Sequence, residues 1–458
     1  MNKIDFTIIK HIHFIGIGGI SMSGLAEILN GSNYVISGSD ISNSDTIQHL
    51  KSLGIKIFIG QHKENITPDI DLVVYTAAIH PDNEEFLACK EAGILMITRA
   101  DLLGYIMDNY NNSIAVSGTH GKTTTTSMIS QILLAASLDP TISVGGILDS
   151  IGGNIRVGNS DVFITEACEY TNSFLSLYPK YNIILNIEED HLDFFKDIND
   201  IRNSFSQFAS NTKNYGTIII NGAILNIDEI TKTDAKIITY GLNENNDLYA
   251  ENITYNSDGI ATFNVVFKGN SLGGITLGVP GKHNVENSLA ACAVCLDMNI
   301  DFDIIKNALL AFGGTKRRFE FKGKLNDITI IDDYAHHPTE IKATLNTAKT
   351  KKANRIICVF QPHTYTRTKA LFDDFIDALS LADVVVFAEI YAAREVDNLG
   401  MSSSLLCDKL KALGKESYYF STFDEIENFL LKNCINNDLV ITMGAGNVNL
   451  VGEHLLGQ

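Results

Sequence analysis

The feature that most restricts this chain is a short apolar strand, Ser113–Ser117, that runs directly into the loop Gly118-Thr119-His120-Gly121-Lys122-Thr123-Thr124. A strand that ends in a glycine turn and restarts as a helix belongs to a parallel sheet, where each helix packs back across the sheet face. The same junction suits phosphate, because glycines let the backbone approach and a helix N-terminus offers N–H groups and partial positive charge. The spacing departs from G-x-x-x-x-G-K-[ST]: five residues before Gly121 stands Val116, and the glycine present is Gly118. The ingredients are nevertheless complete and in order. Gly118 and Gly121 make the turn, Lys122 can reach the β- and γ-phosphates, and Thr123 offers Mg²⁺ a hydroxyl. The sequence therefore predicts a shortened variant loop for ATP.

Around that junction, apolar strands alternate with helical stretches, which predicts α/β architecture throughout. A length of 458 residues exceeds what one core supports, so several domains are expected. Residues 1–109 read as a Rossmann-like domain, with strands His11–Ile15, Tyr34–Ile36, Lys56–Ile59 and Leu72–Tyr75 and helices Ser21–Leu29 and Ile47–Leu53. Residues 110–316 read as a P-loop ATPase-like parallel sheet with added strands, including Val162–Thr165 and Ile183–Ile187. Between about 214 and 280, short strands punctuated by Asn and Gly predict an antiparallel edge. Residues 317–458 read as a second Rossmann-like domain with strands Ile328–Ile331, Ile356–Phe360, Val384–Ala388 and Leu439–Met443.

The formal net charge of −19 argues against nucleic-acid or acidic-membrane partners, while a local pocket of amides and a few basic groups can still hold a small anion. No apolar run of about 18 residues marks a membrane span. Seven scattered cysteines fit a reducing compartment, so a cytoplasmic protein is expected, as a monomer or weak homodimer. Cys292-Ala-Val-Cys295 is expected to be two buried thiols of a core helix.

Further motifs carry chemistry. Gly16-Ile17-Gly18-Gly19-Ile20-Ser21 is a second strand-to-helix glycine turn, and Asp40 stands where a ribose-binding acid would be; NAD, FAD or a UDP-sugar would suit this pattern. Glu166 and Glu169 follow one strand, and Asp190, His191 and Asp193 another, supplying metal ligands beside the phosphate loop. Asn284 and Asn287 share a helix face and can read a base edge, or Asn284 can cap that helix. Lys316, Arg317 and Arg318 concentrate positive charge, and arginine clamps phosphate or carboxylate through parallel N–H bonds. Asp332, Asp333, His336 and His337 end one late strand, and His363 and Arg367 the next. Ligands of open α/β sheets bind beyond strand C-termini, so these tips are expected to converge on one crevice.

In this order, "HFIGIGG", "GTHGKTTTT", "NIEEDHLD", "HNVEN", "RRFE", "DDYAHHPTEI", "FQPHTYTR" and "GAGNV" resemble the Mur ligase family of peptidoglycan synthesis over essentially the whole chain. The match leans towards the alanine-adding branch. The resemblance implies ATP-dependent joining of L-alanine to the lactyl carboxylate of UDP-N-acetylmuramate through an acyl phosphate. It implies that Gly16, Gly18, Gly19, Ile20, Ser21 and Asp40 bind the UDP end. It assigns ATP to Gly118, Thr119, His120, Gly121, Lys122, Thr123 and Thr124, with Asn284 and Asn287 on adenine and Asp333 on ribose. Lys122 and Arg318 would hold phosphates, Thr123 with Glu169 one Mg²⁺, and His191 a second; Lys122, Glu169, His191 and Arg318 form the catalytic set. His336, His337, His363 and Arg367 are the amino-acid-side candidates. Two departures stand out: Ser21 where the family usually has glycine, and Cys168-Glu169-Tyr170-Thr171 where it commonly has Asp-Glu-Ser-Asp. The competing readings are a ligase for a preformed peptide in wall recycling, a nicotinamide-dependent oxidoreductase, and a non-catalytic nucleotide-gated sensor.

Overall fold

Strands that end in candidate site residues are buried along nearly their whole length, as parallel strands between helix layers must be. This holds for β1 (His11–Ile15), β6 (Asn112–Ser117), β9 (Val162–Glu166), β10 (Tyr181–Ile184) and β18 (Ile356–Phe360). The computed structural model describes residues 4–458 apart from Asn33, Ala77, Arg394 and Asn398. It contains three separate sheets.

The first sheet adds β2 (Val35–Asp40), β3 (Lys56–Ile59), β4 (Leu72–Tyr75) and β5 (Leu95–Thr98) in the order β3-β2-β1-β4-β5, all parallel. The order reverses between β1 and β4, so the glycine turn after β1 lies at the switch point, where such sheets open a ligand crevice.

The second sheet takes β7 (Thr141–Leu148), β8 (Gly153–Arg156), β11 (Thr217–Asn221), β12 (Lys236–Gly241), β13 (Leu248–Tyr255), β14 (Ile260–Phe267) and β15 (Asn270–Pro280). Its order is β15-β14-β13-β12-β11-β10-β6-β9-β7-β8. Parallel pairing continues through β12 to β13, so the antiparallel edge is narrower than the sequence predicts and consists of β13, β14 and β15. β10 stops at Ile184, short of the expected Ile187, because Asn186 turns its side chain onto the phosphate loop.

The third sheet joins β16 (Glu320–Leu325), β17 (Ile328–Asp333), β19 (Val384–Phe387), β20 (Glu416–Tyr419) and β21 (Leu439–Met443) to β18 in the order β16-β17-β21-β18-β19-β20. Only β16 runs antiparallel.

One apolar cluster spans the first two sheets, uniting Phe14, Leu25 and Leu103 with Ala115, Phe163 and Phe205. The third sheet buries its two faces in clusters of its own. All seven cysteines are free, and Cys292 and Cys295 lie fully buried in the helix Lys282–Asp297. Among the described residues, no helix is long and apolar enough to cross a membrane.

Candidate active site

The loop after β6 owes its path to its two glycines. Gly118 has φ +139° and Gly121 φ +85°; a Cβ would lie 2.9 Å from Leu185 Cβ at the first and 2.7 Å from Asn287 Oδ1 at the second. Asn186 clamps the loop at both ends of its amide: its Oδ1 accepts from His120 N (2.8 Å) and its Nδ2 donates to His120 O (3.0 Å). Thr119 Oγ1 accepts from Glu188 N at 2.9 Å. The helix Lys122–Ala135 then starts with no side-chain cap and no acid in its first turn, which leaves its N-terminal N–H groups facing the loop's concave side.

Lys122 bends back over this concavity. Its Nζ donates to Gly118 O (2.5 Å), Thr119 O (3.1 Å) and both oxygens of Glu169 (3.2 and 3.0 Å). Burial opposes its charge, but Glu169 outweighs burial and holds the ammonium above its usual range. Glu169 itself is buried, and His191 Nε2 lies 3.7 Å from its Oε1. His191 has φ +54° and its ring rests on Tyr170, with centroids 4.5 Å apart. Burial pulls His191 below the usual histidine range, so the imidazole is neutral and able to ligate. Arg318 Nη2 donates to Thr123 Oγ1 at 3.3 Å. A hydroxyl, a buried carboxylate and a neutral imidazole around a phosphate cradle fit Mg²⁺, which prefers oxygen donors and keeps several waters. Glu166 accepts from Gly145 N at 2.5 Å and lies near enough to Lys122 to favour its charge as well. Asp193 accepts from Tyr170 Oη at 2.8 Å.

A cavity of about 640 Å³ opens beside the loop, lined by His120, Gly121 and Thr124 from one side and by Arg318 and Asp333 from the other. Asn284 and Asn287 also line it, and Asn287 Nδ2 donates to Asn284 Oδ1 at 3.1 Å. Asn284 is not a cap, because the helix begins at Lys282 after Gly281. Asp333 accepts from Phe319 N (2.9 Å), Ala335 N (2.8 Å) and Thr344 Oγ1 (3.0 Å); burial pushes its pKa up to about 6.

His120 bridges the second and third sheets. Its Nε2 is 3.4 Å from Glu188 and its Nδ1 3.3 Å from Glu340. Burial opposes its charge, but the two carboxylates raise its pKa to about 9. His337 acts as a cap: its Nδ1 accepts from Thr339 N (3.3 Å) while Nε2 donates to Glu189 O (3.1 Å). Both ring nitrogens are thus engaged with backbone, which disfavours His337 as a proton acceptor. His336 is half-buried beside Glu340, and its desolvation lowers its pKa to about 4.

A second pocket, about 200 Å³, is lined by Tyr170, Asp190, His191, His363, Arg367 and Leu371 among others. Arg367 donates through Nε (3.1 Å) and Nη2 (3.0 Å) to Asp190 Oδ1, and its Nη1 donates to His363 Nδ1 (3.0 Å). The strand tips thus converge, though on two separate pockets and not on a single crevice: Arg318 and Asp333 line the larger, and His191, His363 and Arg367 the smaller.

At the end of β1, Gly18 N donates to Asp40 Oδ2 (2.8 Å), and Ser42 N to Asp40 Oδ1 (3.1 Å). Asp40 therefore holds the glycine turn in shape instead of presenting a free acid to a ribose. Gly16 takes φ +81°, while Gly19 caps the helix Ile20–Asn30 without a side-chain bond. Ile20 is exposed beside this turn. Ser21 Oγ accepts from Arg99 Nη1 at 3.1 Å. The sequence reading missed Arg99, Glu188 and Glu340; the first sits in no motif, and the carboxylates gain meaning only where domains meet.

Comparison with known proteins matches three family descriptions: the Mur ligase family catalytic domain over residues 11–111, the Mur ligase middle domain over 116–295, and the Mur ligase glutamate ligase domain over 317–446. The UDP-N-acetylmuramate–L-alanine ligase of Agathobacter rectalis is 60% identical over 457 residues, covering 100% of both chains. That of Lachnospira eligens is 59% identical over 458 residues with the same coverage. Among solved structures, the UDP-N-acetylmuramate–alanine ligase of Thermotoga maritima superimposes with a TM-score of 0.80 at 31% identity over 98% of each chain. A murein peptide ligase from Psychrobacter arcticus gives 0.73 at 26% identity, again over 98% of each chain. With its phosphate loop, its three sheets and relatives alike over its full length, the chain belongs to the Mur ligase family.

Proposed function

We propose that the chain joins L-alanine to the lactyl carboxylate of UDP-N-acetylmuramate with consumption of ATP, a carboxylate–amine ligation of peptidoglycan precursor synthesis. The observation that carries this reading is the position of the Lys122–Glu169–His191 cluster. It lies at the phosphate loop, whose Gly121 and Thr124 line the nucleotide-sized cavity, and His191 lines the smaller pocket that contains Arg367.

A carboxylate does not condense with an amine at neutral pH, because its oxygen is a poor leaving group. Phosphorylation of the lactyl carboxylate by ATP gives an acyl phosphate, the alanine amine attacks it, and phosphate departs as the amide forms. Lys122 leaves its carbonyl and Glu169 partners for the γ-phosphate, and Arg318 supports the phosphates from the start of the third domain. Thr123 and Glu169 would hold one Mg²⁺ and His191 a second; bound there, such ions would supply positive charge that offsets repulsion between the phosphates and the attacking carboxylate. Asn284 and Asn287 face the adenine, and Asp333 the ribose side of the cavity. Gly16, Gly18, Gly19, Ile20 and Ser21 receive the UDP end, with Asp40 keeping their turn in shape. Arg367, steered by Asp190 and His363, takes the alanine carboxylate. Contacts between the second and third sheets close the site and keep water from the acyl phosphate.

The size of the smaller pocket, about 200 Å³, favours a single small amino acid over a preformed peptide. An acceptor screen with UDP-N-acetylmuramate and ATP tests the assignment. Phosphate release is expected to need both the sugar nucleotide and L-alanine, and a tripeptide to be a poor substitute. Equal ATP hydrolysis with or without them sinks the ligase reading, and preference for the tripeptide transfers the assignment to peptide recycling. Lys122→Ala is expected to lose amide formation while UDP-N-acetylmuramate still binds.

A further inference from the structure

Arg99 has an unusual environment for a cation. It is the first residue of the helix Arg99–Asp108, half-buried between the first and second sheets. Among the described residues its one side-chain hydrogen bond is from Nη1 to Ser21 Oγ, and no carboxylate forms an ion pair with it. The acid nearest in its own helix, Asp101, is committed elsewhere: one oxygen accepts from Thr98 in a capping box and the other from Ser176 Oγ at 2.8 Å. The ionisable neighbour that acts on Arg99 is Cys168, and burial pulls the guanidinium below its usual range. Removing a guanidinium from water without a counter-charge is costly, and its planar fork of donors matches phosphate and carboxylate oxygens.

The helix cannot drift to relieve this. Gly104 packs so closely on the central domain that a Cβ there would lie 2.1 Å from Ser176 O. The capping box fixes its first turn. Arg99 therefore stands between two fixed landmarks: the glycine turn after β1, reached through Ser21, and the Cys168–Glu169 corner that pairs with Lys122. A sugar nucleotide bound by that turn and reacting at Lys122 must cross this gap, and it carries a diphosphate and a carboxylate.

We propose that Arg99 is an anion receptor for the sugar nucleotide, its guanidinium oriented by the Ser21 hydroxyl to bind a phosphate or carboxylate oxygen of the substrate spanning the two domains. This rests on the ligase reading. It also gives a use to the serine that stands where the family usually has glycine, since a glycine has no hydroxyl to hold the fork.

The test compares the full-length wild type with Arg99→Met and Arg99→Lys by calorimetric titration and thermal denaturation. For Arg99→Met, the Kd for UDP-N-acetylmuramate is expected to rise roughly 10- to 100-fold, the worth of a hydrogen bond to a charged group. The Kd for ATP should stay within about twofold, Arg99→Lys should recover part of the loss, and the substrate-free melting temperature should hold or rise because a half-buried charge without an ion-pair partner has gone. Titration with UDP-N-acetylglucosamine, which has the diphosphate without the carboxylate, separates the two anions: weakening of both ligands places Arg99 on the diphosphate, weakening of UDP-N-acetylmuramate alone places it on the carboxylate. Unchanged sugar-nucleotide affinity overturns the proposal, as does a joint fall of both affinities and the melting temperature, which marks a structural role. A wild type that does not bind UDP-N-acetylmuramate refutes the ligase reading itself.

Discussion

Adjacent residues in this site do different work, and the backbone decides which. Arg317 takes φ +61°; its guanidinium binds Asp332 Oδ2 (3.0 Å) and the carbonyls of Gly446 and Gly444, tying down the third domain. Arg318 points the other way and reaches Thr123. Nothing in the "KRR" run distinguishes the two, because the left-handed turn that separates them depends on their surroundings. The same holds for Asp190, which reads as a metal-ligand candidate beside His191 but instead holds Arg367. Burial works against its charge, yet Arg367 keeps Asp190 well below the usual carboxylate range. A depressed carboxylate contributes stability above its unfolded pKa, about 3.9, and loses it as pH falls through the lower folded value, so this pair does not titrate near neutrality. Asp190→Asn is expected to leave Arg367 unsteered and raise KM for L-alanine by about tenfold or more. ATP affinity should barely change; steady-state kinetics with each substrate varied checks this, and an equal loss for ATP and alanine contradicts it.

At the level of elements, the strand-to-loop junctions were the most legible part of the chain. Continuous apolar runs such as Ile114–Val116 and Ile183–Ile184 mark strands buried on both faces, and glycines mark the turns that follow, since both signals are local. What stays hidden is long-range. Whether β12 and β13 pair in parallel depends on chain direction, which alternation of residues does not encode. That Asp40 turns inward to Gly18, or that Asn186 clamps His120, follows from register between strands far apart in sequence. The phosphate loop is the element where conformation and contact coincide, and Gly121 tests it. An alanine there would have to keep φ +85° with its Cβ 2.7 Å from Asn287 Oδ1. Gly121→Ala is expected to cost about 1–3 kcal/mol of stability, the range for backbone strain at such a position. It should also weaken ATP binding at least about tenfold by tilting the helix start. Denaturant unfolding and nucleotide titration measure the two effects, and a variant that matches the wild type in both removes the need for glycine at this site.

The molecule as a whole has two unlike seams. The first two sheets share one apolar cluster, which favours a fixed relation between them, whereas the second and third meet through polar pairs: His120 with Glu340, Thr339 with Glu188, His337 with Glu189 O, and Arg367 with Asp190. Polar interdomain contacts of this kind permit relative motion, so the third domain is the one expected to open for substrate and close for chemistry. His120 joins this seam directly to the phosphate loop, between Glu188 and Glu340 and against the His337 ring at 4.6 Å. Despite burial, the two carboxylates raise its pKa from 6.5 to about 9. A raised histidine stabilises the closed contact fully below its unfolded pKa and loses that contribution as pH climbs through the folded value. The seam should therefore be tight near neutrality and loosen as pH rises through about 9. Small-angle scattering with ATP bound is expected to show the radius of gyration increasing over that range, with an alkaline limb in ligation rate at the same midpoint. His120→Gln keeps a polar side chain without the titration, so the variant should start more open and respond less to pH. A wild-type radius that does not change with pH, or a variant with the same alkaline response, shows that closure does not depend on the His120 charge.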